Sequence, residues 1–240
     1  AVACKASRVV KGLNMKYLEN SLYRADVEKT IANTVDFESL KGKRVLVLGA
    51  TGLIGSFLTD CLIYANCAMS VDIQIYAVGR SRKRLEERLG EENSYLHFVE
   101  CSVENLNLDV PLDVIVHCAS NAHPKAFREQ PVETMMANLQ GTYQVCELAR
   151  KNPGCRVLYV SSGEVQEEVN HLFTRACYPV SKKAAETLCL CYCEEYHVDV
   201  VIARPCHTFG ANVTASDNRA TAQFIACASA DENIVMKSAG

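Results

Sequence analysis

The stretch RVLVLGATGLIG, residues 44–55, decides the fold. It opens with a β-branched and leucine-rich apolar run, which predicts a buried strand. Three glycines follow at intervals of three residues, a spacing that permits a tight turn and lets a pyrophosphate approach the backbone. A helix that begins near Leu53 would offer free amides and the positive end of its dipole to an anion. We therefore predict a phosphate-binding turn rather than a purely structural glycine turn, with contacts from Gly49, Thr51, Gly52, Leu53, Ile54 and Gly55.

Outside this stretch, the chain alternates between short apolar runs and longer helical patterns. The strands are predicted at 44–49, 73–78, 95–100, 113–118, 156–161 and 199–204, and the helices at 53–66, 81–89, 131–150 and 178–196. Strands that are apolar on both faces belong in a parallel sheet covered by helices on both sides. The fold class is therefore α/β, with a doubly wound parallel sheet of the Rossmann type.

The two ends of the chain lack the alternating strand and helix pattern of this central part. Residues 1–40 are predicted to form an N-terminal arm with an amphipathic helix over 21–33, in which Leu22, Val27 and Ile31 share the apolar face. The dinucleotide-binding domain with its catalytic helix would then cover 41–206. Residues 207–240 would begin a substrate-binding lobe.

Composition excludes several classes of function. The 240 residues carry 25 basic and 28 acidic side chains, so the net charge is −3 and no basic surplus points to a nucleic-acid partner. No apolar run approaches the roughly 18–20 residues of a membrane span, and no signal peptide opens the chain. The thirteen cysteines are odd in number and contain no CxxC pair, so we predict free thiols, no metal site and a cytoplasmic location.

The second strand ends in VGRSRK, residues 78–83, where the adenosine ribose of a dinucleotide would lie. An acidic residue at this position would select NAD, but the chain has Gly79 there, followed by cations. A guanidinium at Arg80 could hold a 2′-phosphate, which favours NADP. NAD remains open, since the basic residues could equally be a solvated helix turn.

A second group of residues predicts catalysis. Tyr178 and Lys182 lie four residues apart on a predicted helix and therefore share a face. An ammonium beside a phenol lowers the phenol pKa, so Tyr178 could act as a base near neutral pH. Ser162 and Glu164 follow a strand whose carboxyl end faces the ligand crevice, where a hydroxyl could bind a sugar hydroxyl.

Taken in order, these motifs resemble the extended short-chain dehydrogenase/reductase family, in particular the nucleotide-sugar epimerases, dehydratases and decarboxylases. Further segments carry the same resemblance over about 43–240: HCAS at 117–120, NLQGT at 138–142, RPCHTFG at 204–210, and DNR with QFI over 217–225.

The resemblance implies further site residues. On the cofactor side these are Ser102, Val103, Cys118, Ala119, Ser120, Tyr178, Lys182 and Pro205. On the substrate side they are Asn121, Ser162, His207, Arg219 and Gln223. It also implies a homodimer that packs through helices 131–150 and 178–196.

The resemblance also implies a mechanism on a nucleotide-diphosphate sugar. Tyr178 would remove the proton of the sugar 4-hydroxyl while hydride leaves C4, Lys182 would support Tyr178, and Ser162 would stabilise the 4-keto oxygen. Glu164 stands where the dehydratases and decarboxylases carry a glutamate, so it favours that branch over the epimerases, although an exposed strand-end glutamate is an equal alternative.

Several positions depart from the family pattern. Ser102 replaces an aspartate near adenine, His207 replaces an asparagine, and Gln166 replaces a tyrosine. The chain also stops where family members continue into the substrate lobe, so we expect an incomplete lobe. An NADPH-dependent reductase of a non-sugar carbonyl and a non-catalytic NAD(P)-binding scaffold therefore remain as alternatives.

Overall fold

A computed structural model describes residues 16–34, 36–166, 173–213, 217 and 219–236. Its sheet has six parallel strands in the order β3-β2-β1-β4-β5-β6. This order reverses direction at β1, which is the signature of a doubly wound fold, and it confirms the predicted Rossmann-type sheet. The strands are β1 Arg44–Leu48, β2 Gln74–Gly79, β3 Leu96–Glu100, β4 Val114–His117, β5 Arg156–Val160 and β6 Asp199–Ala203.

Helices connect these strands and cover both faces of the sheet. They are α1 Ser21–Asn33, α2 Leu53–Met69, α3 Arg82–Leu89, α4 Pro124–Glu129, α5 Pro131–Arg150, α6 Cys177–Tyr196 and α7 Ala220–Ser229. Single helical turns occur at Lys16–Glu19, Phe37–Leu40, Val103–Asn105, Gly163–Gln166 and Thr174–Ala176. Helix α2 extends to Met69, beyond the predicted end at 66, and it stops where Ser70 takes a left-handed conformation with φ +54°.

Alternate residues of β1 belong to different cores, as a sheet covered on both sides requires. Val45 and Val47 pack into a cluster with α1, α2 and α3, whereas Leu46 and Leu48 pack into a cluster with α5 and α6. All four side chains are buried. Because a strand has a side-chain period of two, a continuous apolar run is what this arrangement needs.

The N-terminal helix differs from its prediction in one position. Leu22 was expected on the apolar face, but it is 79% exposed, and the buried stripe is Tyr23, Val27 and Ile31. Asn20 caps α1 by accepting hydrogen bonds from the amides of Leu22 and Tyr23, which fixes where the helix begins. The stripe at i, i+4 and i+8 packs α1 against α2.

A buried polar network ties this arm to the rest of the fold. The Tyr23 hydroxyl donates to Asp60 of α2 at 2.5 Å and accepts from Asn212 at 2.8 Å. Arg88 of α3 pairs with the same aspartate at 2.6 Å. Four separate segments thus meet in this network, and three of them meet at the Asp60 carboxylate.

Among the described residues, no helix combines the length and apolar character that a membrane crossing requires. The cytoplasmic location stays a prediction, as do the domain boundaries at 40 and 206.

Candidate functional site

The glycine turn after β1 is shaped by close backbone contacts. Gly49 has φ +77°, and a Cβ there would lie 2.9 Å from the backbone nitrogen of Ala119. A Cβ on Gly55 would lie 2.3 Å from the carbonyl oxygen of Gly49. Any side chain at either position would therefore push the turn open.

Helix α2 leaves its first amides without a side-chain cap. Gly52 is the N-cap residue and makes no side-chain hydrogen bond to the helix. The amides at the start of α2 and the dipole of a 17-residue helix therefore face the mouth of the turn. The six residues predicted to contact phosphate lie in this turn and the first turn of α2: Gly49, Thr51, Gly52, Leu53, Ile54 and Gly55.

The end of β2 places Arg80 beside the same crevice. Its guanidinium is 63% exposed and forms an ion pair of 2.9 Å with Glu133 of α5. Ser81 caps α3 by accepting from the amide of Arg84, so it fixes the chain just after Arg80. An exposed pair of this kind is weak and can open to admit an anion.

The turn after β3 holds two further predicted residues. Val103 is buried against Gly141 of α5, where a Cβ would lie only 2.6 Å from its Cγ1. Ser102 accepts a hydrogen bond of 3.1 Å from Asn105. Close approach of α5 thus explains the glycine of the NLQGT segment.

Polar side chains after β4 connect the sheet to two helices. The Ser120 hydroxyl donates to Asn138 of α5 at 2.8 Å, and the Asn138 amide donates to Ser181 of α6 at 2.9 Å. Asn121 donates to Glu133 at 3.3 Å. Cys118 and Ala119 connect the end of β4 to Ser120, and the backbone of Ala119 lies against Gly49. The predicted residues 118–121 therefore lie directly across from the glycine turn.

Tyr178 lies in the first turn of α6 and is only 6% exposed. Its ring stacks on Phe127 of α4, with centroids 4.6 Å apart. Burial raises the pKa of Tyr178, while a hydrogen bond with Ser162 and the charges of Arg219 and Arg175 oppose that rise. Burial is the largest of these causes, so the pKa of Tyr178 is raised overall. The expectation that Lys182 lowers this pKa stays a prediction.

Lys182 is buried one turn further along α6. Its ammonium donates to the Val160 carbonyl at 2.7 Å and lies 4.7 Å from the centroid of the Tyr159 ring. Burial lowers the pKa of Lys182 to about 8. Nearby His117 is also buried, and its pKa is lowered to about 3, so the imidazole stays neutral. The ammonium is therefore held near the end of β5, in an apolar surrounding.

Glu164 does not stand alone at the mouth of the crevice. Its carboxylate pairs with Arg175 at 2.9 Å, and the guanidinium of Arg175 lies 4.7 Å from the centroid of the Phe127 ring. The order of contacts is thus Glu164, Arg175, Phe127 and Tyr178. The charges of both Glu164 and Arg175 act on Tyr178.

The exit of β6 borders the same residues. The Pro205 carbonyl accepts from the amide of Gly163 at 2.9 Å, which holds the strand end beside Ser162. Arg219 pairs with Asp217 at 3.0 Å, and its charge acts on Tyr178. His207 and Gln223 are exposed.

In the part of the chain that the structure describes, no three histidine, cysteine, aspartate or glutamate side chains converge as a metal site. The twelve cysteines in that part are free thiols.

Residues 45–240 match the NAD dependent epimerase/dehydratase family. The chain belongs to this family. Its curated relatives include UDP-glucuronic acid decarboxylase 1 of Danio rerio, which is 35% identical over 213 residues, or 82% of this chain and 49% of the relative. UDP-glucuronic acid decarboxylase 2 of Arabidopsis thaliana is 32% identical over 205 residues, or 78% of this chain and 43% of the relative. The chain spans about half the length of the curated relatives it matches.

Solved structures share the fold. The Bordetella bronchiseptica enzyme WbmF, in complex with NAD+ and UDP, superposes with a TM-score of 0.68 at 18% identity, covering 85% of this chain and 65% of that one. UDP-glucuronic acid 4-epimerase from Bacillus cereus, in complex with UDP-glucuronic acid and NAD, has a TM-score of 0.67 at 20% identity, covering 82% of this chain and 66% of that one.

Within this epimerase/dehydratase chain, sequence reasoning missed three contacts of the site. Phe127 lies in a six-residue helix too short to show a period, and its stacking on Tyr178 follows from tertiary packing alone. Arg175 lies three residues before Tyr178, so its position was available as a signal. Glu186, buried one turn after Lys182, was visible only as a polar residue on an apolar helix face.

Proposed function

We propose that this epimerase/dehydratase chain binds NAD(P) and modifies a nucleotide-diphosphate sugar through a 4-keto intermediate. The observation that carries the proposal is the placement of Tyr178 against Ser162, with Lys182 buried one turn away. These side chains lie at the carboxyl end of the sheet, where ligands of doubly wound folds bind. The names of its relatives, UDP-glucuronic acid decarboxylases, support the same substrate class.

The glycine turn fits a dinucleotide. Gly49 and Gly55 leave the space that a Cβ would fill, and the uncapped start of α2 offers amides to a pyrophosphate. Ser102 and Val103 would border the adenine, while Cys118, Ala119, Ser120 and Pro205 would border the nicotinamide ribose. When bound, the oxidised cofactor would accept a hydride from the sugar. The structural neighbours are named as NAD complexes, which supports NAD as a cofactor.

Preference for NADP is the finer part of this proposal. Arg80 would leave Glu133 and pair with a 2′-phosphate. The variant Arg80→Ala should lose affinity for NADP by about tenfold and keep its affinity for NAD, as a charge-assisted contact of this kind is worth on the order of 1.4 kcal/mol. Equal losses for both cofactors, measured by isothermal titration calorimetry, would contradict a role in selection.

The chain's own residues would perform the proton chemistry. Tyr178 accepts the proton of the sugar 4-hydroxyl as the C4–H bond breaks, which leaves a ketone at C4. Ser162 donates a hydrogen bond to the developing carbonyl oxygen. Lys182 provides a fixed positive charge behind the phenol. Asn121, His207, Arg219 and Gln223 are the proposed contacts to the rest of the nucleotide sugar.

Decarboxylation is the fate that this site supports best. A 4-keto sugar with a carboxylate at C5 is a β-keto acid, which loses CO2 when the C5–C6 electron pair moves toward the C4 oxygen. Ser162 and the protonated Tyr178 would stabilise the enolate formed there. The C5 carbon of the enolate must then take up a proton, which a water molecule bound by the Glu164 carboxylate would supply; Arg175 holds that carboxylate in place. Dehydration and epimerisation are the other outcomes of the same intermediate.

Mass spectrometry of products tests this assignment. The protein would be incubated with NAD+ or NADP+ and a panel of UDP-hexoses and UDP-hexuronic acids. We expect a product that has lost CO2 from a UDP-hexuronic acid, and no product from Tyr178→Phe, which should still bind cofactor. Unchanged turnover by that variant would refute the catalytic role. Net NADPH oxidation with a non-sugar carbonyl alone would favour the reductase, and tight cofactor binding without turnover of any substrate would favour the scaffold.

Assembly as a homodimer through α5 and α6 is part of the proposal. Met136 and Tyr143 on α5, with Leu190 and Tyr196 on α6, are exposed large apolar side chains. Such a surface is typical of an interface. In sedimentation analysis, Leu190→Asp should convert a dimer to a monomer, whereas Val201→Asp, on the exposed part of β6, should leave the dimer intact. A wild-type chain that sediments as a monomer would contradict this arrangement.

A further inference from the structure

We propose that Glu186 is a positioning residue that keeps Lys182 charged, and that Arg204 holds Glu186 in place for this task. The inference rests on the proposed function, because a charged Lys182 matters only where Tyr178 transfers a proton. The three side chains would form a line of alternating charge that runs from the exit of β6, through α6, to the end of β5.

The geometry of the pair is well defined. Glu186 follows Lys182 by four residues on α6, so the two side chains share one face of the helix. Its side chain is only 6% exposed. The guanidinium of Arg204 contacts both carboxylate oxygens, through Nε at 2.8 Å and Nη2 at 2.6 Å. A bidentate pair of this kind fixes the orientation of the carboxylate as well as its charge.

Lys182 needs such a partner because its surroundings disfavour charge. Burial lowers the pKa of Lys182 to about 8, and the negative charge of Glu186 opposes this change. The thiol of Cys118 also faces the ammonium, but burial raises its pKa to about 12, so it stays neutral at physiological pH. His117 is neutral for the same reason. The groups that face Lys182 are His117 and Cys118 from β4 and its end, Tyr159 from β5, and Glu186 and Cys189 from α6.

Arg204 has the complementary role. Burial alone would favour a protonated Glu186, yet the pKa of Glu186 lies below its usual value because Arg204 donates two hydrogen bonds to it. The guanidinium is 44% exposed, so it bridges solvent and the buried carboxylate. Arg204 directly precedes Pro205, whose carbonyl accepts from Gly163. The pair thus also joins the exit of β6 to the catalytic helix.

Titration of Lys182 by NMR tests the inference without any turnover. The protein would be labelled with [13C]lysine, and the Lys182 signal would be identified by its loss in Lys182→Arg. We expect Glu186→Gln to lower the pKa of Lys182 by about one unit, since a nearby opposite charge shifts a pKa by about one unit or more. Glu194→Gln, on the exposed part of the same helix, should leave that pKa unchanged.

The variant Glu186→Asp separates charge from packing. It keeps a carboxylate but disturbs the bidentate contact, so it should retain most of the Lys182 pKa, whereas a purely structural role would make Glu186→Asp and Glu186→Gln alike. Circular dichroism would confirm that each variant is folded. A folded Glu186→Gln with an unchanged Lys182 pKa would overturn the proposal.

Activity gives a second, separate readout. The alkaline limb of the pH profile for kcat should move to lower pH in Glu186→Gln and recover in Glu186→Asp. Absence of turnover in the wild type with every nucleotide sugar would count against the proposed function alone. The NMR titration would still decide the role of Glu186.

Discussion

At Lys182, the proposed catalytic role and the stability of the fold make opposite demands on a single residue. An ammonium buried between β5 and α6 loses its hydration, and one hydrogen bond to the Val160 carbonyl compensates only in part. The pKa of Lys182 falls from 10.5 to about 8 on folding. Below pH 8 the charged lysine therefore destabilises the folded state, and the cost is relieved as the pH rises from 8 toward 10.5, because the unfolded chain binds more protons in that window.

Replacing this lysine should stabilise the protein and abolish its chemistry. We expect Lys182→Met to raise the free energy of unfolding by about 2 kcal/mol at pH 7, after subtracting the lost hydrogen bond. The gain should shrink at pH 10.5, where the wild-type lysine is largely neutral in both states. Urea unfolding at the two pH values measures this difference. A variant less stable than the wild type at pH 7 would show that the ammonium is well solvated or compensated.

At the scale of elements, two features of the glycine turn exclude a side chain at Gly49: its positive φ and its close contact with the backbone of Ala119. Gly49 and Gly154 have positive φ, at +77° and +83°. Only Gly49 also approaches another segment, since nothing lies within 4 Å of a Cβ built on Gly154. The two positions therefore separate the cost of backbone strain from the cost of filling the site.

Alanine at these two positions gives a matched pair of variants. Gly49→Ala and Gly154→Ala should each lose about 1 kcal/mol or more of stability to strain. Only Gly49→Ala should also lose cofactor binding, by at least tenfold, because its Cβ would displace the backbone at Ala119. Calorimetric titration with NAD+ and thermal unfolding measure the two effects. Equal cofactor affinity in both variants would place the dinucleotide elsewhere.

The sequence predicted the strands and helices more completely than the contacts between them. The six strands were predictable because each is an apolar run bounded by turn residues, and a sheet buried on both faces needs only that. Helix α4 was not predictable, since six residues cannot show a helical period. The face of α1 was misassigned at Leu22 because packing against α2 selects the stripe of Tyr23, Val27 and Ile31, and this packing is not visible in the sequence.

The pairing of Glu186 with Arg204 could not be predicted from the sequence either. The two residues belong to α6 and the exit of β6, and only the topology of the sheet brings them together. The effect of burial on the Tyr178 pKa was likewise missed, because burial is a property of the folded chain.

At the scale of the whole molecule, many of the predicted site residues lie at one edge of the sheet. The ends of β1, β4, β5 and β6 bring the glycine turn, residues 118–121, Ser162 and Pro205 to one edge of the sheet, and α6 adds Tyr178. Helix α7 lies beside this edge through Arg219 but buries none of its side chains. The N-terminal arm packs against α2, on the face of the sheet opposite to the face covered by α5 and α6.

Transfer of hydride from the sugar is the central claim, and isotope labelling tests it most directly. UDP-glucuronic acid deuterated at C4 would be mixed with the protein and NAD+, and the cofactor analysed by mass spectrometry after quenching within a turnover. The account predicts reduced cofactor that carries one deuterium in the wild type and none in Tyr178→Phe. Because the hydride can return to C4 before the product leaves, the quench times would span the whole first turnover. Product formed while no deuterium appears on the cofactor at any of these times would contradict a 4-keto intermediate.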